Sequence, residues 1–193
     1  EDKTHAFRLI KQLIKKAQDL TGTQEYDVIL GGQESWRVDR STLLKYKGHR
    51  VGGLRPLLLQ DCRDYLINHH SAKVLDNSLE ADDYVVMMSY NNDNIVVGND
   101  KDYRGCNVRF LDMNHPEDGV IDGKQLGDVF IRNKKLTGFG RKFFYAQILI
   151  GDVADNYKPT CATKAKFGDV GAYKLLSPLK TDEECWQAIV DMY

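Results

Sequence analysis

The sequence predicts an α/β protein with a mostly parallel sheet. Amphipathic helical segments alternate with short, largely apolar segments, a pattern typical of strands joined by helical crossovers. The clearest apolar segments are 26–30 and 94–98, which have the length and composition of strands buried on both faces. With 193 residues and 42% hydrophobic content, the chain can bury one substantial core.

The first half of the chain begins with a helix. Residues 4–20 place apolar side chains at helical spacing with basic side chains opposite, which predicts an amphipathic surface helix. Segment 26–30 runs into two glycines and predicts a buried parallel strand that ends in a loop. Residues 36–50 are basic and irregular, and helical spacing resumes over 55–69.

The second half continues the alternation. Residues 71–75 favour a weak strand, residues 80–90 an apolar helix headed by acids, and residues 94–98 a second buried strand. The remaining predicted elements are a strand over 106–113, a hairpin within 129–140, a helix over 141–151, and helices over 168–176 and 181–192.

Composition argues against several classes of protein. The formal net charge of −1 gives no global attraction to nucleic acid or to an anionic membrane. The four cysteines contain no CxxC pair, which argues against zinc and against a dense disulfide framework. No segment has the roughly 20 apolar residues of a spanning helix, and the first residues lack the apolar core of a signal peptide. We therefore expect a cytoplasmic protein.

Three short acidic clusters lie at the edges of apolar segments. Acids at the ends of buried elements can converge, and parallel sheets place ligands beyond the carboxyl ends of their strands. Each cluster alone has a plainer interpretation: a capped helix start, a surface turn and a polar helix end, respectively. The seven carboxylates are Glu80, Asp82, Asp83, Asp100, Asp102, Asp152 and Asp155.

The three clusters together favour a metal site. Carboxylates gathered without cations would raise one another's pKa values, so they are either apart in space or separated by metal ions. Hard oxygen ligands select Mg²⁺ or Mn²⁺ over zinc. Two such ions about 4 Å apart can activate water and stabilise the leaving oxygen of a phosphodiester, which is nuclease chemistry. No Ser-His-Asp or Cys-His arrangement stands out.

The order of these motifs resembles the 5′ nuclease family: flap endonucleases, the 5′→3′ exonuclease domain of bacterial DNA polymerase I and, especially, bacteriophage exonucleases. The likeness covers nearly the whole chain. Segments 28–31, 36–37 and 45–50 look like the family's strand, Phe-Arg and Tyr-Lys-x-Asn-Arg series, and segments 79–83, 99–103 and 150–156 follow in the family's order.

The resemblance implies a Rossmann-like (PIN/5′ nuclease-like) sheet with flanking helices and a site for two Mg²⁺ or Mn²⁺ ions. The nuclease core would span 1–150 with a basic arch region in 36–70, and residues 151–193 would complete the metal site and carry a helix-hairpin-helix-like element. The implied metal ligands are Glu80, Asp82, Asp83, Asp100 and Asp102 near one ion, directly or through water, and Asp152 and Asp155 at the second.

The resemblance also implies DNA contacts. Lys47 matches a lysine that reaches the scissile phosphate, Arg50 an arginine that supports the 5′ strand, and Arg37 the arginine at the root of the arch. Lys47 and Arg50 would stabilise charge on the reacting phosphate, although a solvated basic loop is the plainer interpretation. The helix-hairpin-helix region is less faithful to the family, and its implied ligands are DNA and K⁺ at Lys164, Lys166, Gly168 and Gly171.

Two acids of the family are missing from their expected positions. Family members begin with a strand bearing a metal-binding aspartate, and this chain starts after that point. A further acid usually follows the strand that ends here at Leu30, where the sequence has two glycines. We expect either a separate N-terminal segment or partner protein that supplies the strand, or weak metal binding. Without that strand, Ile29 or Val96 would lie at an unpaired, buried edge.

Three functions are compatible with this pattern. The leading one is a Mg²⁺-dependent 5′→3′ exonuclease or flap endonuclease acting on DNA in a bacterial or phage-infected cell. The second is a catalytically weakened DNA-junction-binding module or subunit of the same fold. The third is an unrelated phosphohydrolase of small substrates, against which the long basic stretch from Arg37 to Arg50 argues.

Overall fold

The computed structural model describes residues 2–32, 35–41, 44–48, 54–76, 79–157, 159 and 167–193. These residues form a mixed α/β structure, as the alternating pattern predicts. The α-helices are α1 Lys3–Thr21, α2 Arg37–Arg40, α3 Leu59–His70, α4 Ala81–Ser89, α5 Gly140–Ile150, α6 Asp169–Leu176 and α7 Asp182–Met192. The strands are β1 Ile29–Leu30, β2 Lys73–Val74, β3 Ile95–Gly98, β4 Arg109–Asp112, β5 Val120–Asp122, β6 Asp128–Arg132 and β7 Lys135–Phe139.

The described strands form three small sheets. β1 pairs in parallel with β2, and β3 pairs in parallel with β4, which also pairs antiparallel with β5. β6 and β7 form the predicted hairpin. Its turn residues Asn133 and Lys134 have φ angles of 51° and 65°, the left-handed conformation that matches the twist of a two-residue hairpin.

The two parallel pairs each have an open edge. Within the described ranges, no strand pairs with the second edge of β1 or of β3, so Ile29 and Val96 both lie on edge strands. Val96 is only 5% exposed, whereas Ile29 is half-buried. Both strands contact α4. The parallel strands are therefore divided between two separate sheets, β1–β2 and β3–β4–β5, that both contact α4.

Helix α1 is amphipathic, as predicted, and its ends are capped. Asp2 accepts a hydrogen bond from the Thr4 amide at 2.9 Å, and Gly22 ends the helix with a φ of 72°. The helix packs on α3, where the Phe7 and Tyr65 rings stack with centroids 4.2 Å apart. Leu13 nevertheless remains 56% exposed, so this packing leaves part of the apolar face uncovered.

The largest core surrounds α5. This helix packs against α6, α7 and the β6–β7 hairpin, so the core joins residues on both sides of position 150. A smaller cluster of Val96, Val108 and Phe110 lies at β3 and β4. Side chains with no exposed surface in the larger core are those of Ala146, Leu149, Ala172, Leu176 and Cys185.

Three elements differ from the sequence pattern. Residues Arg37–Arg40 form the short helix α2 within a segment that the sequence predicts to be irregular. The predicted buried strand over 26–30 contracts to the half-buried pair Ile29–Leu30, because its only partner among the described strands is the short, exposed β2. β5 was not predicted, since three residues between glycines are too few to show a strand period. No helix in the described parts of the chain has both the length and the apolar content to cross a bilayer.

Replacing a core leucine should destabilise the protein far more than replacing an exposed one. Leu149 in α5 has no exposed surface, so Leu149→Ala should lower the free energy of unfolding by about 2–5 kcal/mol through lost burial and a cavity. Leu13→Ala, the same change at an exposed site in α1, should cost less than about 0.5 kcal/mol. Urea unfolding of both variants measures the difference. Equal effects would contradict the placement of the core at α5.

Candidate functional site

One cleft of about 600 Å³ collects the acidic segments that the sequence singles out. Among its charged lining residues are three basic and six acidic side chains, a formal charge of −3. The cleft is therefore an unfavourable place for a phosphate unless further positive charge enters it. The charged lining residues are Arg37, Lys47, Lys101, Asp82, Asp83, Asp100, Asp102, Asp152 and Asp155.

The first acidic cluster lies at the start of α4. Glu80 is the N-cap residue, and Asp82 and Asp83 lie in the first turn, where the helix dipole and free amide groups stabilise carboxylates. Gly31, at the end of β1, lies against this turn. A Cβ atom at Gly31 would come within 3.3 Å of the Ala81 amide nitrogen. The chain after β1 therefore approaches the acidic helix start closely.

Arg37 joins two of these acids. Its Nη1 atom donates to Glu80 Oε2 at 2.7 Å and to Asp83 Oδ2 at 2.8 Å. Glu80 and Asp83 are three residues apart and so reach the same side of the helix start. Burial acts to lower the pKa of Arg37, but its bonds to Asp83 and the charge of Glu80 outweigh burial and raise that pKa. The guanidinium of Arg37, which belongs to α2, is thus a positive charge held against the start of α4.

Asp82 has a different environment. Among the described residues it forms no ion pair, although Arg37 lowers its pKa slightly through space. Burial, followed by the charges of Glu80 and Asp83, raises the pKa of Asp82 above its ordinary value. A raised carboxyl pKa means that the negative charge is under-compensated, so this position favours an added cation.

The second acidic cluster follows β3. Asp100 caps the 3₁₀ helix Lys101–Gly105 by accepting from the Asp102 amide at 3.0 Å. Asp102 in turn accepts from the side-chain amide of Gln147 in α5. Both aspartates therefore lie beyond the carboxyl end of a parallel strand, where α/β sheets place ligands.

Lys101 bridges the second and third clusters. Its ammonium group pairs with Asp152 and lies 3.3 Å from Asp102 Oδ1. Burial acts to lower the pKa of Lys101, but the bond to Asp152 and the charge of Asp102 raise it overall. Burial likewise acts to raise the pKa of Asp152, and the bond to Lys101 brings it below its ordinary value. The side-chain ammonium group of Lys101 therefore lies between the Asp102 and Asp152 carboxylates of the cleft.

The third cluster lies in the turn after α5. Gly151, with a φ of 75°, ends the helix, and Asp152 Oδ1 then accepts from the amides of Ala154 and Asp155 at 2.6 and 3.3 Å. The Lys47 amide donates to the Asp155 carbonyl at 3.3 Å. The Asn156 side chain donates to the Lys45 carbonyl at 3.1 Å. These bonds hold the segment 44–48 against the acidic turn.

Lys47 and Tyr46 reach across the cleft. The Lys47 ammonium lies 3.5 Å from Glu80 Oε1 and 3.9 Å from Asp155 Oδ1, and the Tyr46 hydroxyl donates to Glu80 Oε2 at 3.2 Å. Burial acts to lower the pKa of Lys47, but its bond to Tyr46 and the charge of Glu80 raise it. Lys47 has a φ of 50°, which is uncommon for a residue with a side chain and typical of constrained positions.

A buried ion pair holds the 3₁₀ helix of the second cluster in place. Arg104 lies in the 3₁₀ helix and is 3% exposed. Its Nε atom donates to Asp112 Oδ2 at 2.9 Å. Its Nη2 atom donates to Asp118 at 2.7 Å, and Asp118 also pairs with Arg132. The segment that carries Asp102 is therefore fixed to β4 and to the loop after it.

The remaining expected site residues are not among the described residues that line the cleft. Arg50, Lys164 and Lys166 are outside the described residues. Gly168 caps α6 and Gly171 lies in its first turn, and neither lines the cleft. Five further residues line the cleft or bond to its acids without a predicted role of their own: Trp36, Tyr46, Lys101, Tyr103 and Gln147. Of these, Lys101 lies between two of the predicted aspartates in the sequence.

The cleft suits divalent metal ions in donor chemistry and in charge. Its carboxylate oxygens are the ligands that Mg²⁺ and Mn²⁺ prefer, and its formal charge of −3 favours cations. Within the described ranges, however, no group of three or more His, Cys, Asp or Glu side chains is arranged around one point. Arg37, Lys47 and Lys101 pair with the acids instead. Metal binding here requires side chains to reorient.

Comparison of the chain with protein-family models, curated proteins and solved structures finds no match. Function is therefore inferred from the residues and their geometry. Three segments far apart in the sequence contribute acids to one cleft.

Removing Arg104 should be costly because its partner is buried. Arg104→Met leaves Asp112, whose side chain is 4% exposed, without its cation and should lower the free energy of unfolding by about 3–5 kcal/mol. Arg132→Met removes a guanidinium that is 38% exposed and should cost about 1 kcal/mol or less. Chemical denaturation compares the two variants. A small, equal loss would show that the Arg104 pair is solvated.

Proposed function

We propose that this chain is a metal-dependent 5′ nuclease that hydrolyses phosphodiester bonds in DNA with 5′ ends or flaps. One observation carries the proposal: acids from three separate segments line one cleft together with Lys47 and Arg37. The motif order that resembles 5′→3′ exonucleases and flap endonucleases adds to it. Such chemistry needs gathered carboxylates and nearby cations rather than a Ser, Cys or His nucleophile.

Mg²⁺ or Mn²⁺, as two ions, is the proposed cofactor. Asp82, Asp83, Asp100 and Asp102, with Glu80, would hold one ion, and Asp152 and Asp155 the other. When bound, the ions supply an activated water and positive charge for the leaving oxygen. Asp82 is placed among these ligands because it lines the cleft and, among the described residues, no cationic side chain forms an ion pair with it.

The chain's own cations act on the phosphate. Lys47 is held charged by its raised pKa and reaches into the cleft, where its ammonium can exchange a carboxylate partner for a phosphate oxygen. Arg37 keeps Glu80 and Asp83 on one side of α4 and so orients the acids. Lys101 fixes Asp152 until another cation replaces it. Arg50 is proposed to support the 5′ strand.

Duplex DNA is proposed to bind beside the cleft. The arch region 36–70 would cover the 5′ strand, and the helix-hairpin-helix-like element, with Lys164, Lys166, Gly168 and Gly171, would contact phosphates and a K⁺ ion. These contacts would be sequence-independent and weakened by salt. A cytoplasmic location in a bacterial or phage-infected host cell is proposed together with this substrate.

The fold proposed for this function is a single Rossmann-like sheet. Its ladders β1–β2 and β3–β4–β5 both contact α4 and each has an open edge. A further parallel strand between β1 and β3 would join the ladders, and an N-terminal segment or a partner protein is proposed to supply it. An acid at the end of that strand would reach the same cleft.

A DNA-junction-binding module is the second candidate function. The pairing of Lys101 with Asp152 and of Lys47 with Glu80 favours it, because a cleft with internal cations can hold its shape without metal. This module would bind flaps and leave them uncut.

Replacing one acid should separate these functions. We expect the chain to cleave a 5′-labelled flap duplex in Mg²⁺ or Mn²⁺, and Asp100→Asn to reduce the rate about 100-fold or more, since it removes charge from the metal side of the cleft. Asp93→Asn is the matched control, because Asp93 is exposed and outside the cleft. The Asp93→Asn variant should cleave the flap duplex at the wild-type rate.

Two other results have clear meanings. Flap binding in Ca²⁺ without cleavage in Mg²⁺ or Mn²⁺ favours the binding module. Cleavage that persists unchanged in Asp100→Asn contradicts the assigned site and indicates a contaminating nuclease.

The open edge of β3 can be tested by hydrogen exchange. The Met113 amide donates to the Gly98 carbonyl at 2.9 Å, so Gly98 and Val96 face β4, whereas Val97 faces the open edge. In the isolated chain the Val97 amide should exchange at least about 10-fold faster than the Val96 amide. A strand added between β1 and β3 should abolish this difference. Equal protection in the isolated chain would contradict an open edge.

A further inference from the structure

A tryptophan lies at the side of the cleft with much of its ring uncovered. Trp36 lines the cleft and is 45% exposed. Its indole N–H donates to Asp83 Oδ2 at 3.0 Å, and the Arg37 guanidinium carbon lies 5.0 Å from its ring centroid. These two contacts orient the ring before any ligand arrives. A ring that is already oriented loses little conformational entropy when a flat ligand stacks on it.

Part of the cleft lining is apolar. Leu79, Val86 and Met87 belong to the same cleft, and Met87 is 68% exposed although it is a large apolar side chain. Met87 follows Asp83 by one helical turn, so it lies on the face of α4 that carries the partner of Trp36. The cleft therefore combines an apolar part with the charged part formed by Lys47, Lys101 and the acids.

A nucleotide has the same two-part chemistry. Its base is flat and apolar on its faces, and its phosphate is anionic. A volume of about 600 Å³ lies within the range of pockets that hold ligands of this size. A free phosphate or a small phosphate ester would leave the exposed Trp36 and Met87 surfaces in contact with water. The apolar part of the lining thus favours a ligand that carries a base.

We propose that Trp36 is a stacking platform for a nucleobase of single-stranded DNA, with Met87 beside it and the adjoining phosphate at Lys47. The proposal rests on the proposed nuclease function and narrows its substrate to strands with an unpaired base next to the reacting phosphate. Stacking requires no particular base, because every base presents a π face. A base held in a duplex cannot reach the ring, so the subsite distinguishes frayed or flapped ends from paired DNA.

Tryptophan fluorescence tests this subsite directly. The chain has two tryptophans, and Trp186 lies on α7 outside the cleft. In a Trp186→Phe variant, Trp36 is the only tryptophan fluorophore. Oligothymidylate added in Ca²⁺ should quench its emission, because a stacked thymine accepts an electron from the excited indole and returns it on charge recombination. An abasic oligomer of equal length, which has the same phosphates, should leave the emission unchanged.

Substitutions separate stacking from other roles of Trp36. Trp36→Leu should weaken oligothymidylate binding about 5- to 150-fold and leave abasic binding unchanged. Trp36→Phe retains an aromatic ring without the indole N–H and should keep most of the affinity. Trp186→Leu, the same change outside the cleft, should have no effect. Circular dichroism confirms that each variant is folded.

The remaining outcomes overturn the proposal in distinguishable ways. Equal binding of both oligomers without quenching would limit the role of Trp36 to its bond with Asp83. The same conclusion would follow if Trp36→Phe bound oligothymidylate as weakly as Trp36→Leu. If flap cleavage depends on Asp100 but oligothymidylate does not quench Trp36, the nuclease function stands and the stacking subsite is contradicted. Failure to bind or cut any DNA overturns the nuclease function and the subsite together.

Discussion

Carboxylates from three chain segments share one cleft because cationic side chains lie between them. Arg37 holds Glu80 and Asp83, Lys47 lies between Glu80 and Asp155, and Lys101 pairs with Asp152 and Asp102. All of these ion pairs except Lys101–Asp102 are also tertiary contacts, since they join elements that are distant in sequence. Asp82 indicates the cost of lacking such a partner, because burial and neighbouring acids raise its pKa. The shape of the site and its charge balance thus depend on the same bonds.

The ends of secondary-structure elements place these charges. Glu80 caps α4, Asp100 follows β3 and Asp152 follows α5. Each end rests on packed structure: β3 on the Val96–Phe110 cluster, α5 on the largest core, and the 3₁₀ helix on the buried Arg104–Asp112 pair. A change in either core should therefore move the acids relative to one another.

The arrangement is suited to exchange of charged partners. An ammonium group that pairs with a carboxylate in one state can pair with a phosphate in another when a divalent cation takes over the carboxylate. Under the proposed function, Lys47 and Lys101 make this exchange, and the formal charge of −3 keeps phosphate out until metal enters. Under the proposed stacking of a base on Trp36, the apolar lining at Trp36 and Met87 would add selectivity for a base, which charge alone cannot supply.

Local sequence pattern predicts the longer helices and most strands, because apolar periodicity is a local property that α1, α4, α5 and the β6–β7 hairpin express strongly. It also selected the acids that line the cleft, since each cluster borders an apolar element. Tertiary structure alone decided which cations pair with which acids, the bridging position of Lys101 and the buried Arg104–Asp112 pair, because these depend on contacts between distant residues. The division of the parallel strands into two ladders was likewise decided by long-range pairing, which local pattern does not encode.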